Sequence, residues 1–226
     1  MKAVTLYKLV FIVVLGLVLS SLFCSRNKTS ITGAGDDETP PDTVTVRKPN
    51  IYIYPEEITD LTVRLAFPLG GRVTASEPAY PDSGWQVTVT TNGIINSAWH
   101  FLFYECDTPN LYQTDEGWLV ARSDLENFFE SSLLKYGMNE QEINDFKEYW
   151  LPRLTEHEYY LVYPQTREIV DLVIDLQLSR QPDNLLRLFY YFRGTDKNSA
   201  TKPIVPYIEH VKRSGFTVIE WGGILE

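Results

Sequence analysis

Leu61-Thr62-Val63-Arg64-Leu65-Ala66-Phe67 places an apolar side chain at every second position and a polar or small one between. A helix would need its apolar residues three and four apart, so this stretch reads as a β-strand with one buried face. Working outward, Ile51 and Ile53 show the same alternation before it, and Trp85, Val87 and Val89 continue it afterwards. Asn92-Gly93 then precedes the run Ile94 to Tyr104. Both residues tolerate positive φ, so the pair predicts a tight hairpin turn between two strands. Further strands are expected at Tyr159 to Tyr163, Val170 to Leu176, Leu185 to Arg193 and Phe216 to Trp221.

Between the two groups of strands the period changes. Ser123-Asp124-Leu125-Glu126 has the form of a capping box, Leu125, Phe128, Phe129, Leu133 and Tyr136 share one helical face, and Gly137 is a stop signal. Asn139 and Glu142 repeat the box for a second helix, whose stripe carries Ile143, Phe146 and Trp150. Met138 is placed to staple onto Ile143, and Pro152 ends or kinks the helix. The short join between them predicts an αα-hairpin. The expected fold is therefore α+β: a mainly antiparallel β-sheet or sandwich with one inserted αα-hairpin.

The chain has 226 residues, a net charge of −10 and no basic stripe, which argues against a nucleic-acid partner. Its first residues differ from the rest. Lys2 and Lys8 precede the apolar run Leu9 to Leu19, and Ser20-Ser21-Leu22-Phe23-Cys24 follows. The run falls short of the about 20 apolar residues of a membrane span and has the layout of a secretory signal. The position of Cys24 resembles bacterial lipoprotein signals, although Ser21 and Phe23 stand where those prefer Leu and a small residue. The resemblance implies a signal peptide over 1–23 and lipidation at Cys24. An uncleaved anchor over Leu6 to Phe23 and ordinary cleavage near Ser21 are the rival readings. Residues 24–46, polar and rich in Gly, Pro, Thr and Asp, read as a flexible tether, and 47–226 as one β-rich globular domain. A cell-envelope location outside the cytoplasm, with the membrane reached through the N-terminal lipid, follows from these readings.

Several strings in the folded part resemble, in the same order, those of a family of uncharacterised bacterial and fungal proteins. Lys48-Pro49-Asn50-Ile51-Tyr52-Ile53-Tyr54-Pro55 is similar to its Lys-Pro-x-Ile-Tyr-x-Tyr-Pro opening, Tyr149-Trp150-Leu151-Pro152 to its Tyr-Trp-Leu-Pro helix end, and Gly215-Phe216-Thr217-Val218-Ile219-Glu220-Trp221-Gly222-Gly223 to its close. Tyr104-Glu105 stands where the family pattern has Trp before Glu. The resemblance implies a single domain from Arg47 to Gly223 and brings no catalytic residue with it.

Candidate chemistry is sparse. His100, His157 and His210 sit in no known catalytic or metal arrangement. A zinc site from His100, Cys106 and Asp107 is outweighed by a strand histidine and a buried free thiol, so neither metal nor cofactor is expected. Glu105 and Glu220 end predicted strands beside Tyr104 and Trp221, and Gly222-Gly223 would let a ligand approach the backbone. Two carboxylates flanking a cleft, with aromatic rings to stack on sugars, would suit a glycan-active hydrolase. The blander reading pairs Glu220 with Arg193 as a structural ion pair. Arg193, Tyr104 and Trp221 are then candidate binding residues only. The functional expectation is a non-catalytic envelope module that binds a protein or glycan partner or serves structurally, with the Glu105/Glu220 hydrolase as the alternative.

Overall fold

The central strand β1 (Thr43–Tyr54) settles the layering, because its alternating side chains enter two different cores. Ile51 and Ile53 face one side and Tyr52 the other, with Tyr54 packed beside it. The structure is a computed structural model that describes residues 42–196 and 202–226, all within one compact unit, Thr39–Glu226. The signal peptide, Cys24 and most of the expected tether lie outside the described residues. No helix among the described residues is long and apolar enough to cross a membrane.

Strands β2 (Thr59–Ala66), β3 (Arg72–Glu77), β4 (Trp85–Val89), β5 (Leu102–Pro109) and β6 (Trp118–Ala121) precede helices α1 (Leu125–Tyr136) and α2 (Glu140–Trp150). After them come β7 (Tyr159–Gln165), helix α3 (Arg167–Val173), β8 (Asp175–Leu178), β9 (Asn184–Thr195) and β10 (Thr217–Leu225). Seven strands form one sheet in the order β3-β5-β1-β10-β9-β7-β6, and β4-β2-β8 form a second. All pairings are antiparallel except β9 with β10. The α+β class with its helical pair is thus the observed one.

The α1–α2 pair covers one face of the large sheet through Phe129, Phe146, Trp150, Tyr190, Phe192 and Trp221. The small sheet and α3 cover the other, through Leu61, Val63, Trp85, Val173, Phe189 and Val218. Both faces of β9 are consequently buried, and the aromatic run Leu188 to Phe192 is core on each side.

Four expectations need correction. The tether gives way to strand at Thr43, because Thr43 to Val46 pair with Cys106 to Pro109 of β5. Asn92-Gly93 does turn, with Gly93 at φ 81° donating to Thr90 O, but no hairpin results. β4 pairs with β2 and β5 with β1, so the chain there passes from one sheet to the other. The box at Ser123 is absent: Asp124 caps α1 without a side-chain bond, after a 3₁₀ turn. The box of Asn139 and Glu142 is present in full. Val170 to Leu176 divides into α3 and β8, because Val170, Val173 and Ile174 recur at helical spacing and enter the core on one face.

Trp150 is fully buried, with its ring centroid 4.7 Å from that of Phe192. A Cβ built on Gly223 would lie 2.4 Å from the Trp150 ring, so the glycine admits the indole to the sheet surface. Trp150→Ala should cost about 3–5 kcal/mol in denaturant unfolding, the usual range for a buried ring of this size. A loss under about 1 kcal/mol would show that the ring does not anchor α2 to the sheet.

Candidate functional site

β1 carries one extra residue between Val46 and Asn50 relative to both neighbours, so its register shifts against β5 and β10 together. This is a β-bulge, the position at which a proline such as Pro49 is tolerated in a central strand. Lys48, at the bulge, has φ 57°, a left-handed conformation that costs a non-glycine residue about 1–2 kcal/mol. Its ammonium lies 4.3 Å from the ring centroid of Phe103, 5.0 Å from that of Phe101 and 6.0 Å from that of Tyr149. Burial lowers the Lys48 pKa below the usual lysine value. Asp145, Glu77 and Glu105 pull it back up, and Arg153 pushes it further down.

The far wall is the end of α2. Tyr52 and Tyr54, on the helix-facing side of β1, donate to Asp145 Oδ2 and Glu142 Oε1, each at 2.7 Å. Glu142 is fully buried. It closes the α2 capping box and accepts from both terminal nitrogens of Arg213 on the crossover between β9 and β10. These bonds fix α2 lengthwise on β1 and set Asp145, Glu148 and Tyr149 beside the bulge. Pro152 ends α2 in a 3₁₀ turn, which carries Arg153 back so that its guanidinium stacks 3.6 Å from the Tyr149 ring centroid.

Bulge and helix end enclose a cleft of about 340 Å³ lined by Lys48, Asn50, Phe101, Asp145, Glu148, Tyr149 and Arg153. Behind it the polar groups are incompletely satisfied. Among the described residues five buried side-chain atoms have no hydrogen-bond partner, and three of them are Asn50 Oδ1, Trp150 Nε1 and Trp221 Nε1. Asn50 pairs with Trp221 in the β1–β10 ladder, and Trp150 packs on Gly223 two residues further along. Natively buried polar atoms are nearly all bonded, so such a concentration marks the place for scrutiny. Two of the strings singled out in the sequence contribute lining residues, Lys48 and Asn50 from one and Tyr149 from the other, while Trp221 and Gly223 pack behind the cleft. Glu105 joins through a 3.4 Å bond from Tyr149 Oη.

The strand-end carboxylates meet different fates. Glu105 is half-buried on the helix-facing side of the large sheet, against Tyr149. Glu220 is fully buried on the opposite side, where it accepts from Tyr104 Oη at 2.7 Å and pairs with Arg187, its neighbour in the parallel β9–β10 ladder. The two carboxylates therefore share no cleft and cannot flank one glycosidic bond. Arg193 is not the partner of Glu220; it pairs with Glu226 at 2.6 Å. Tyr104 and Trp221 are fully buried and offer no face to a sugar, and the space at Gly222 and Gly223 is filled by Pro49 and Trp150. Sequence reading missed Lys48, Asn50, Asp145 and Arg153. The one available signal was a proline inside an alternating strand, which marks a bulge.

The buried cluster on the sandwich side is a structural tie. Arg187 also donates to Asp171 and to the carbonyl of Ile174, joining the large sheet to α3. Burial pulls the Arg187 pKa down, but Glu220 and Tyr104 outweigh it and leave it above the ordinary arginine value. Burial and the Glu220 charge push the Cys106 thiol well above its ordinary range. His100 is exposed, and no group of three or more His, Cys, Asp or Glu among the described residues is placed to hold a metal ion.

Glu220→Gln leaves the Arg187 charge buried with only Asp171 as counter-ion, and should cost about 3–5 kcal/mol in chemical unfolding. Arg187→Met in the same background should recover part of the loss. A double mutant no more stable than Glu220→Gln alone would show that the two side chains are not coupled.

Comparison with protein-family models, with curated proteins and with solved structures finds no match for this chain.

Proposed function

We propose that the protein is a cell-envelope module held outside the cytoplasm through its N-terminus, and that its folded domain binds a glycan at the Lys48 cleft without transforming it. The observation that carries this reading is one cleft assembled from residues far apart in the sequence: Lys48 and Asn50 at the β1 bulge, Phe101, and Asp145, Glu148, Tyr149 and Arg153 at the end of α2. A strained lysine, a buried amide oxygen without a partner and a stacked tyrosine–arginine pair are assembled there at the cost of local stability. Such arrangements cluster at binding and catalytic sites. The cleft lies at the small end of the about 300–1,000 Å³ typical of ligand sites and mixes aromatic rings with polar groups. Against catalysis stands the separation of Glu105 from Glu220 by the sheet. The lipid anchor rests on Cys24 at the end of an apolar run.

Two measurements test this reading. Intact-mass analysis of membrane-extracted protein should show loss of residues 1–23 and a gain of acyl mass on Cys24; a product that keeps Lys2 points to the uncleaved anchor. The full chain should be retained by insoluble cell-envelope polysaccharide without release of reducing ends, and Tyr149→Ala should weaken that retention. Release of reducing ends by the wild type, or retention unaffected by Tyr149→Ala, would overturn it.

A further inference from the structure

Strand β9 extends beyond β7, and one stretch of its edge has no strand beside it. Its pairing with β10 runs without a break from Asn184 to Phe192. Asn184 N–H donates to Phe216 O at 3.2 Å near one end, and Phe192 O accepts from Glu226 N–H at 3.0 Å near the other. Successive residues of a strand turn their N–H and C=O groups to opposite edges, so the even-numbered residues of β9 face β10. Leu185 and Arg187 therefore turn theirs to the β7 side. There β7 ends with Gln165 against Phe189, and Thr166 caps α3 and leads the chain away. No strand among the described residues takes up the edge at Leu185 and Arg187.

A slot of about 290 Å³ lies along this edge, lined by Leu185 to Leu188 themselves. The first turn of α3 borders it on the sandwich side, and Tyr136 and Val211 border it on the helix side. The outer edges of the large sheet are blunted: β3 carries Arg72 and Glu77, and Ile204 of the crossover bridges Glu116 just before β6. The β9 edge has neither device. Its one charged side chain, Arg187, is turned inward to Glu220 and Asp171.

We propose that this edge docks an extended, basic segment of a partner polypeptide, which adds to the large sheet as a short strand beside β9. Main-chain bonds to Leu185 and Arg187 supply the attachment, and alternate side chains of the segment enter the two sides of the slot. The helix side presents Leu186, Leu188, Tyr136 and Val211, so the side chains that face it are apolar. Charge sets the flanks. Of the charged residues lining the slot, Arg167 is bonded to Asp171 and Arg187 to Glu220. Glu168 and Glu209 are exposed and form no ion pair among the described residues, so the charge left over at the slot is negative and favours Lys or Arg in the segment. The slot shares no lining residue with the Lys48 cleft, and the proposal is independent of the glycan reading.

The test uses the ¹⁵N-labelled full chain in detergent and the peptide acetyl-Lys-Val-Thr-Val-Thr-Val-Lys-amide. Two controls accompany it, one N-methylated at the three central residues and one with Glu at both ends. In the free chain the Leu185 and Arg187 amides should exchange with solvent at least about tenfold faster than those of Leu186 and Leu188. Saturating peptide should slow both by about tenfold, the worth of one main-chain hydrogen bond. The N-methylated peptide should give no such protection, because it cannot donate along either edge. The Glu-ended peptide should bind about threefold more weakly or worse. Leu185→Pro removes one edge N–H, leaves the β10 ladder its bonds, and should abolish the protection at Arg187. If that variant fails to fold, Glu209→Lys, on an exposed side chain, should weaken the Lys-ended peptide and strengthen the Glu-ended one. Slow exchange at Leu185 and Arg187 in the free chain gives the edge to the chain's own residues and overturns the proposal. Equal protection by the N-methylated peptide overturns strand addition, and equal binding of the Lys- and Glu-ended peptides overturns the basic partner. Absence of saturable shifts at 184–188 with both unmethylated peptides overturns the docking site.

Discussion

Tyr52 and Tyr54 fasten the helical pair to the sheet. Their rings enter the apolar layer beneath α1 and α2, and their hydroxyls reach Asp145 and Glu142 one helical turn apart on α2. The match is geometric: residues two apart on a strand are about 7 Å apart, and residues three apart on a helix rise about 4.5 Å along it and lie on one face. Two phenol–carboxylate bonds at those spacings allow one register of helix on strand and disfavour sliding. Burial and the adjoining carboxylate charges push both phenols above their ordinary pKa, so they remain donors at any physiological pH. With α2 so placed, Tyr149, Trp150 and Arg153 have fixed positions relative to the β1 bulge. Arg213, pairing with Glu142, ties the β9–β10 crossover to the same point.

The opposite side of the large sheet is held by different chemistry. There the layers are mostly aliphatic, and the polar link is Arg187, which joins Glu220 on β10 to Asp171 on α3. A buried ion pair contributes little net stability against a well-packed apolar substitute, because desolvation consumes most of its attraction. What it adds here is geometric: Arg187 and Glu220 meet only if β9 and β10 lie in the observed parallel register. A parallel pair has no hairpin to set its alignment.

The parts of this fold legible in the sequence are those specified by a single element. Alternation announced β2, β4, β7 and β9, and the Asn139–Glu142 box placed the start of α2 at the correct residue. The parts that were not legible depend on a neighbour. β3 is an edge strand whose sequence, Arg-Val-Thr-Ala-Ser-Glu, buries no face and has no period to show. Asn92-Gly93 fixes a local turn but cannot say in which sheet the next strand pairs. Val170 to Leu176 contains enough β-branched residues to suggest a strand, yet its burial pattern is helical because of what it packs against. The partner of Glu220 was misassigned for a related reason. Choosing Arg187 over Arg193 requires the β9–β10 register, which no local pattern encodes.

The cleft followed the same rule in a sharper form. Glu105 and Glu220 drew attention as acids beside aromatics, but strand alternation alone cannot tell whether two strands present such acids to one face or to two. Lys48 and Asn50 drew none as chemistry, because a lysine near a strand start and an asparagine before an apolar run are ordinary surface residues. Their significance arises when the bulge inserts one residue into a strand hydrogen-bonded on both sides. An even register would carry Lys48 along the strand in an extended conformation. The extra residue turns it left-handed, lodges its ammonium against three rings, and leaves Asn50 fully buried beside Trp221. Both irregularities weaken the domain, while Pro49 and the two glycines opposite it make room for them without repairing either. A fold that needed only stability would be better served by a regular strand here, since buried polar atoms without partners and left-handed lysines each cost free energy. That unreturned cost, confined to one stretch of a well-packed sheet, is the physical ground for locating the function at the bulge rather than in the buried Arg187 network, where all but one of the polar contacts close on the protein itself.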